Sequence, residues 1–380
     1  MYIFDWFENF INNHNRYKTR SNAVIVSCFF NPKNSPYRLI AFHKFYRSIK
    51  HLNHRIIECV IGDAKPQLPD SPYITRVYTD SLLWHKEALL NKVIKDLPKR
   101  FKYVFWVDAD VKFLNQNWMI DAVEVLQKNN VCQLFKNAVH LQKDKNEPCF
   151  NVESETLRVN SNKDCEDPKV QRSFSANYVQ SKERAADRVY KIHGHVGFAW
   201  GARREVLEAC PLYDHALVGG ADHIMAHAAA GHIPHECIRK SFTDDITAVE
   251  EWMRKFYSIV QGKIGCVDGT LYHYWHGEAE KRKYLQRIRD YTSKNKTVLE
   301  KDCNGLYVNN EGYLDEYFTN RECALDEFLD FSYYEEDFYD VMGYDLFDFI
   351  FDNTTQCEIE EEWNEQDDNG CDNECDEEFS

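Results

Sequence analysis

Short apolar runs mark the first hundred residues of the chain. Four of them, AVIVSCFF (23–30), RIIECVIG (55–62), ITRVY (74–78) and YVFWVD (103–108), are rich in β-branched and aromatic residues and are too short for typical helices. We therefore expect four strands, the first of them buried.

Two helices are predicted between these strands. Ser35-Pro36 supplies a cap and a first-turn proline for a helix that ends near Ile49. The segment SLLWHKEALLNKVIKDLP (81–98) predicts a second helix, capped by Asp80 or Ser81. Strands and helices in this order predict an α/β fold, with a mainly parallel sheet covered by helices on both faces.

The remaining chain divides by composition. Residues 1–21 have apolar positions at helical spacing and predict a helical segment that docks on the body of the protein. Residues 22–323 form the main domain, in which the polar stretch 140–190 predicts a long insertion loop, a lid or acceptor loop. Residues 324–352 alternate aromatic and acidic side chains, and 353–380 form a nearly wholly polar tail that we expect to be disordered.

Charge follows the same division. The chain of 380 residues has a formal charge of −16, but all 46 Lys and Arg precede residue 322. Because 22 of the 62 acidic residues follow residue 323, the main body has 46 basic against 40 acidic residues, a net charge of +6. We expect the acidic tail to contact a protein partner.

Cysteine usage and hydropathy predict the compartment. The 13 cysteines cannot all pair within one chain and show no repeated short spacing. No run of about 18 apolar residues and no secretory leader is visible in the sequence. We expect reduced thiols, a cytoplasmic location and no transmembrane segment.

Asp108 and Asp110 follow the last of the four predicted strands. Residues two apart on a strand share a face, so their carboxylates are expected to come together where ligands bind, beyond the carboxyl ends of parallel strands. Two close like charges favour a cation between them, and hard oxygen ligands suit Mg²⁺ or Mn²⁺ carrying phosphate oxygens. A solvated turn is the alternative.

Two later segments carry further candidates. In GTLYHYWHGEAEKRKYLQR (269–287), His273 and His276 lie three residues apart, before a basic cluster that includes Arg282. Either histidine would complete a metal site, and the basic residues would meet a diphosphate. In VGGAD, Asp222 follows a glycine pair and is either a helix cap or a general base.

Zinc is not expected from the sequence. The string GHIPHEC (231–237) and the pair Cys371 and Cys375 contain possible zinc ligands. No set of four has the spacing typical of a structural zinc site.

Taken together, these segments resemble a glycosyltransferase of the GT-A fold. WHKEALLNKVIKDLPKRFKYVFWVDADVKFLNQN (84–117) resembles the galactosyltransferase pattern before and through Asp-x-Asp, and GFAWGARREVLEACPLYDHALVGGAD (197–222) is similar to the acceptor-side segment that follows. The later segment HYWHG (273–277) follows these two in the same order as in the family. The chain is also similar to family 2-like glycosyltransferases, over about residues 22–290.

The resemblance implies a fold and a reaction. It implies a Rossmann-like GT-A domain that transfers sugar from a nucleoside diphosphate sugar, with a UDP-sugar favoured, to an acceptor hydroxyl. Asp110 with Asp108 would hold Mn²⁺ or Mg²⁺, with His276 as third ligand and His273 as a further candidate. Asp222 would be the base of an inverting transfer, and Lys86, Asn91 and Arg282 would contact the donor, as would Asp108.

Several points stay open. The family pattern Trp-Gly-Gly-Glu-Asp is replaced by VGGAD, so the donor sugar and the acceptor, whether glycan, lipid-linked sugar, protein or nucleic acid, are not specified. A nucleotidyltransferase that makes nucleotide sugars is an alternative, although SCFFNPKNSPY is not its usual glycine-rich loop. A non-enzymatic sugar- or nucleotide-binding protein is another.

Overall fold

The structure, a computed structural model, describes five stretches of the chain: residues 22–143, 145–147, 169–241, 246–277 and 300–308. The predicted amino-terminal helix, much of the insertion loop, both carboxy-terminal segments and Arg282 lie outside these stretches. Within them, no helix has the length and apolar character needed to cross a bilayer. No disulfide links the seven cysteines that they contain.

Eleven strands occur in the described residues: β1 Ala23–Phe30, β2 His54–Ile61, β3 Ile74–Thr79, β4 Tyr103–Val107, β5 Val111–Phe113, β6 Val131–Gln133, β7 Asn137–His140, β8 Val170–Arg172, β9 Ala199–Arg203, β10 Ile264–Cys266 and β11 Thr270–His273. The same residues form ten helices: α1 Pro36–Ile49, α2 Lys86–Asp96, α3 Trp118–Lys128, α4 Phe174–Gln180, α5 Lys182–Ala185, α6 Tyr190–His193, α7 Arg204–Ala209, α8 Ala221–Ala230, α9 Glu236–Ser241 and α10 Ile246–Val260.

Seven strands form the central sheet, in the order β10-β6-β9-β4-β1-β2-β3. The pairs β1–β2, β1–β4, β2–β3 and β6–β10 are parallel, whereas β9 runs antiparallel to both of its neighbours, β4 and β6. The predicted mainly parallel α/β sheet is therefore confirmed. A second sheet has the order β5-β11-β7-β8, and the chain enters it from β4 through residues 108–110.

Helices cover both faces of the central sheet. Trp106 of β4 belongs to a buried core cluster that also contains Leu90 of α2 and Ile224 of α8. Phe105, the preceding residue, has its ring 5.5 Å from that of Trp118 in α3. Because successive side chains of a strand point to opposite faces, α3 lies across the sheet from α2 and α8.

Helix α2 begins at Lys86, later than the pattern near Ser81 predicted. The residues before it are held by tertiary contacts instead. The Trp84 N–H donates to the Leu217 carbonyl oxygen over 2.7 Å, and Leu83 packs with Leu217 in a small buried cluster. These contacts override the local helical pattern, and they place Lys86 in the first turn of α2, beside the residues that follow β4.

Candidate active site at the end of strand β4

Asp108 directly follows β4 and forms an ion pair with Lys86. The Lys86 Nζ lies 2.6 Å from Asp108 Oδ1 and 3.2 Å from Asp222 Oδ2. The three side chains are 14%, 28% and 24% exposed, respectively, so these charges are only partly hydrated. One lysine thus links the end of β4 to the first turn of α8.

Burial changes the protonation of this group. It raises the pKa of Asp108 to about 6; Lys86 opposes the rise, while Asp222 and Asp110 add to it. Although burial alone would lower it, the pKa of Lys86 is well above its ordinary value because of Asp108 and Asp222. Burial also raises the pKa of the neighbouring Glu87 to about 8. Lys86 therefore stays charged, and its one positive charge pairs with both Asp108 and Asp222.

Asp222 lies in the first turn of α8 but does not occupy the cap position. The cap residue is Gly220, at φ 102°, and Gly219 before it has φ 92°. These left-handed backbone angles favour glycine. A Cβ on Gly197 would lie 3.4 Å from Asp222 Oδ2, so the absence of a side chain there leaves room beside the carboxylate.

Asp110 faces the two predicted histidines. Its Oδ2 is 3.0 Å from His276 Nε2 and 3.7 Å from His273 Nε2, and one ligand atom from each of the three residues lies within 4.8 Å of the others. The second sheet sets this geometry, because the Tyr274 N–H donates to the Asp110 carbonyl oxygen over 2.9 Å. Both histidines are buried, at 5% and 4% exposure.

These three side chains fit a divalent cation. Neighbouring ligands of an octahedral ion with bonds near 2.1 Å are about 3 Å apart, close to the Asp110–His276 separation. One carboxylate oxygen and two imidazole nitrogens suit Mn²⁺ better than Mg²⁺, which prefers oxygen ligands. Asp108 is not part of this group, since its nearest charge partner is Lys86.

Phe198 and Gly197 contribute to the site but were missed in the sequence. The Phe198 ring stacks between those of His195 and His273, with centroid distances of 3.9 and 4.7 Å. The Phe198 carbonyl oxygen also accepts from the Asp108 N–H over 2.7 Å. Phe198 has φ 74°, which is rare for a bulky residue and which the sequence does not predict. The glycine pattern of HVGFAWG was the available signal.

Asn91 has a different environment from that predicted. Its Nδ2 donates to the Leu212 carbonyl oxygen over 2.8 Å, and its Oδ1 accepts from the Leu212 N–H over 2.9 Å. Both ends of the amide thus tie α2 to the segment before α8. A donor contact by Asn91 stays a prediction, as does one by Arg282, which lies outside the described residues.

A large surface hollow lies elsewhere on the protein. It has a volume of about 680 Å³ and is lined at one edge by Tyr103 and Arg203, at the opposite end of β4 from Asp108. Its lining includes no histidine, cysteine or aspartate. Size alone therefore does not identify the site, and the side-chain chemistry points to the end of β4.

Comparisons with known proteins give distant likenesses. No protein-family model and no curated protein matches the chain. One similar solved structure is glucosyl-3-phosphoglycerate synthase from Mycobacterium tuberculosis in complex with Mn²⁺, UDP-glucose and phosphoglyceric acid, with 9% identity, TM-score 0.37, and coverage of 77% of this chain and 87% of that chain. Another is S. aureus TarS, with 10% identity, TM-score 0.33, and coverage of 84% and 74%.

A third similar structure is 4-diphosphocytidyl-2C-methyl-D-erythritol synthase from Anaerococcus prevotii, with 11% identity, TM-score 0.31, and coverage of 73% and 99%. Likenesses at this level of identity and TM-score do not establish an activity.

Proposed function

We propose that the protein transfers a sugar from a nucleoside diphosphate sugar to an acceptor hydroxyl, with a divalent cation bound at the end of β4. The observation that supports this best is the pairing of two groups at one sheet edge. Asp110 with two histidines forms a cation site, and beside it Lys86 bridges two further carboxylates.

Asp110, His273 and His276 would hold Mn²⁺ or Mg²⁺, with Mn²⁺ favoured by the two nitrogen ligands. A cation bound there neutralises charge on the leaving diphosphate. Burial of both histidines fixes their rings, and the Tyr274 N–H fixes the Asp110 main chain, so the three ligands are positioned before any substrate arrives.

Asp222 is the proposed general base. An acceptor O–H attacks the anomeric carbon, the bond from that carbon to the diphosphate oxygen breaks, and the proton passes to an Asp222 carboxylate oxygen. The Lys86 ammonium lies 3.2 Å from Asp222 Oδ2 and holds that carboxylate in place. Attack from the face opposite the leaving group gives inversion at the anomeric carbon.

Lys86 and Asp108 position the charges around the donor. The strongly raised pKa of Lys86 keeps its ammonium charged where an anionic diphosphate would approach. Asp108 holds that ammonium at 2.6 Å and is in turn fixed through its own N–H by the Phe198 carbonyl oxygen. Asp108 therefore acts in this proposal mainly as a positioning residue for Lys86.

Calorimetric titration of UDP and GDP, with and without Mn²⁺, tests the cation site. We expect binding that requires Mn²⁺ and that is lost in Asp110→Asn. A screen of nucleotide sugars for slow Mn²⁺-dependent hydrolysis then tests the transfer chemistry without a known acceptor.

The same assays separate the alternatives. Pyrophosphate release from a nucleoside triphosphate and a sugar phosphate would identify a nucleotidyltransferase. Sugar or nucleotide binding that needs no cation, with no hydrolysis of any donor, would favour a binding protein and contradict the proposal.

A further inference from the structure

A second group of possible metal ligands lies among helices α6, α8 and α9. His193, His223, His227 and Cys237, here called the histidine–cysteine cluster, each place one ligand atom within 4.8 Å of the others. Cys237 Sγ is 3.1 Å from His223 Nε2 and 3.5 Å from His227 Nε2. Zinc bonds of 2.0–2.3 Å in a tetrahedron give ligand separations of about 3.5 Å, so these distances suit one shared ion.

His193 supplies an independent indication. Its side chain is 0% exposed, yet neither ring nitrogen has a hydrogen-bond partner among the residues that the structure describes. Its ring centroid lies 5.1 Å from those of both His223 and His227. Burying an unpaired imidazole is costly, and an ion is one of the partners that explain such a group.

Neighbouring side chains support the cluster from outside. His227 Nδ1 lies 3.1 Å from His232 Nδ1, so the nitrogen that does not face Cys237 is held by a second imidazole. His235 Nδ1 lies 2.9 Å from Cys237 Sγ, and its Nε2 contacts the Ala186 carbonyl oxygen over 2.7 Å. Outer contacts of this kind orient the ligands of metal sites.

The surroundings of the cluster are apolar. The ring of the fully buried Phe174 lies 6.0 Å from that of His193 and 5.3 Å from that of His227. An apolar shell of this kind limits the access of water to the ligands of a metal site.

We propose that His193, His223, His227 and Cys237 bind one zinc ion in a closed structural site. Three imidazole nitrogens and one thiolate are a donor set that zinc prefers, and four protein ligands leave no position open for substrate. The role is thus to fix the fold and not to carry out chemistry. This site is separate from the cation site at Asp110.

The zinc would fix the two segments that reach the candidate active site. His223 directly follows Asp222 in α8, so a bond to His223 restrains the turn that carries the proposed base. His193 closes α6, only four residues before Gly197, which lies against Asp222. Through Cys237, α9 would be bound to the same ion as α6 and α8.

Metal analysis of the purified full-length chain is the first test. After growth in zinc-supplemented medium and extensive dialysis, we expect about one tightly held zinc ion per chain. Replacement by Co²⁺ should give the near-ultraviolet charge-transfer absorption of a cobalt–thiolate bond. A folded wild-type chain that retains no zinc and shows no such band with Co²⁺ would overturn the proposal.

Substitutions then assign the ligands. Cys237→Ser should abolish the cobalt–thiolate band, and His193→Gln should lower zinc affinity at least about tenfold in competition with a chelator. Cys303→Ser and His51→Gln alter exposed residues and serve as matched controls that should keep the zinc. Wild-type zinc affinity in both Cys237→Ser and His193→Gln would place the ion elsewhere and overturn the assignment.

Two further measurements keep the test independent of folding and of the proposed activity. If Cys237→Ser is insoluble, the wild-type cobalt spectrum and zinc retention by His193→Gln decide the question. Asp110→Asn should keep its zinc, whereas UDP binding with Mn²⁺ is lost. A failure of sugar transfer therefore leaves the zinc result standing, and loss of zinc on Asp110→Asn would contradict two separate sites.

Discussion

Two groups of side chains offer different ligands from different parts of the fold. One, here called the carboxylate edge, consists of Lys86, Asp108, Asp110, Asp222, His273 and His276. The other is the histidine–cysteine cluster. The first offers a carboxylate oxygen and two nitrogens beside the second sheet, with its acids 23–28% exposed. The second offers three nitrogens and a sulfur from helices. An octahedral ion at the first would keep positions for substrate, whereas four ligands at the second would complete a tetrahedron. In these two proposals a single chain pairs an open site with a closed one.

The two groups meet on α8, at Asp222 and His223. Neighbouring helix residues point about 100° apart, so adjacent side chains can serve separate sites. Asp222 faces Lys86, and His223 faces Cys237. Substitutions at and around this boundary can show whether the two sites are independent.

Asp222→Asn should have the largest effect. Loss of a general base lowers the rate by about 10²–10⁴-fold, so we expect transfer or donor hydrolysis to fall by that factor. UDP binding with Mn²⁺ and zinc content should stay at wild-type values, because the amide keeps the shape of the side chain. Calorimetry measures the UDP binding, and a labelled-donor assay measures the rate. Parallel loss of binding and rate would show that Asp222 is not the base.

Asp110→Asn should weaken Mn²⁺-dependent UDP binding by at least about 100-fold, since loss of outer partners of a metal ligand alone costs 10–100-fold. Asp268→Asn is the control, because its carboxylate is 84% exposed. Titration of each variant with UDP and Mn²⁺ gives the comparison. Equal UDP binding in the two variants would show that the cation does not bind at Asp110.

Lys86→Met should destabilise the fold by about 2 kcal/mol, less than the 3–5 kcal/mol of a fully buried pair because both acids are partly exposed. The variant leaves Asp108 and Asp222 without their shared positive charge. Lys301→Met breaks the more exposed pair with Asp214 and should cost under about 1 kcal/mol. Urea denaturation compares them, and equal losses would mean that the bridge contributes no special stability.

Glu87→Gln should change the pH dependence of stability. Burial raises the Glu87 pKa from 4.5 to about 8, so the folded state holds a proton that the unfolded state loses above pH 4.5. The stability due to protonated Glu87 is full below that pH and is lost as pH rises to about 8, by at most about 1.4 kcal/mol per pH unit.

Because glutamine stays neutral, Glu87→Gln should match wild type near pH 4.5 and exceed its stability near pH 8. Urea denaturation across this range is the measurement, with Glu124→Gln as a control at an exposed helical position. If the stability difference between Glu87→Gln and wild type does not change with pH, Glu87 is already charged in the folded protein.

Local patterns predicted four of the seven strands of the central sheet. The four strands begin and end within one residue of the predicted bounds, and β1 matches at both ends. Strands β1, β2 and β4 have a partner strand on each side, so their sequences are apolar almost throughout and end at turn residues, whereas β3 lies at the edge of the sheet. The position of Asp108 and Asp110 after β4 follows from the same local signal.

Contacts between distant segments were not predictable in this way. Lys86 and Asp222 are 136 residues apart in sequence, and no pattern in either segment predicts their 3.2 Å contact. The histidine–cysteine cluster draws on three helices, so its ligands lack the short spacing used to expect zinc. His223 and His227, four residues apart on one helix face, were the available local signal.

The alternation of side chains along β9 makes the loop before it intolerant of changes that shift the register of the strand. Trp200 packs in the main core, whereas the next residue, Gly201, faces Phe105, where even a Cβ would come within 2.5 Å of the ring. An insertion or deletion that shifted the register of β9 by one residue would turn the indole toward that ring. Over evolution, we expect the length of the segment 194–198 to stay constant.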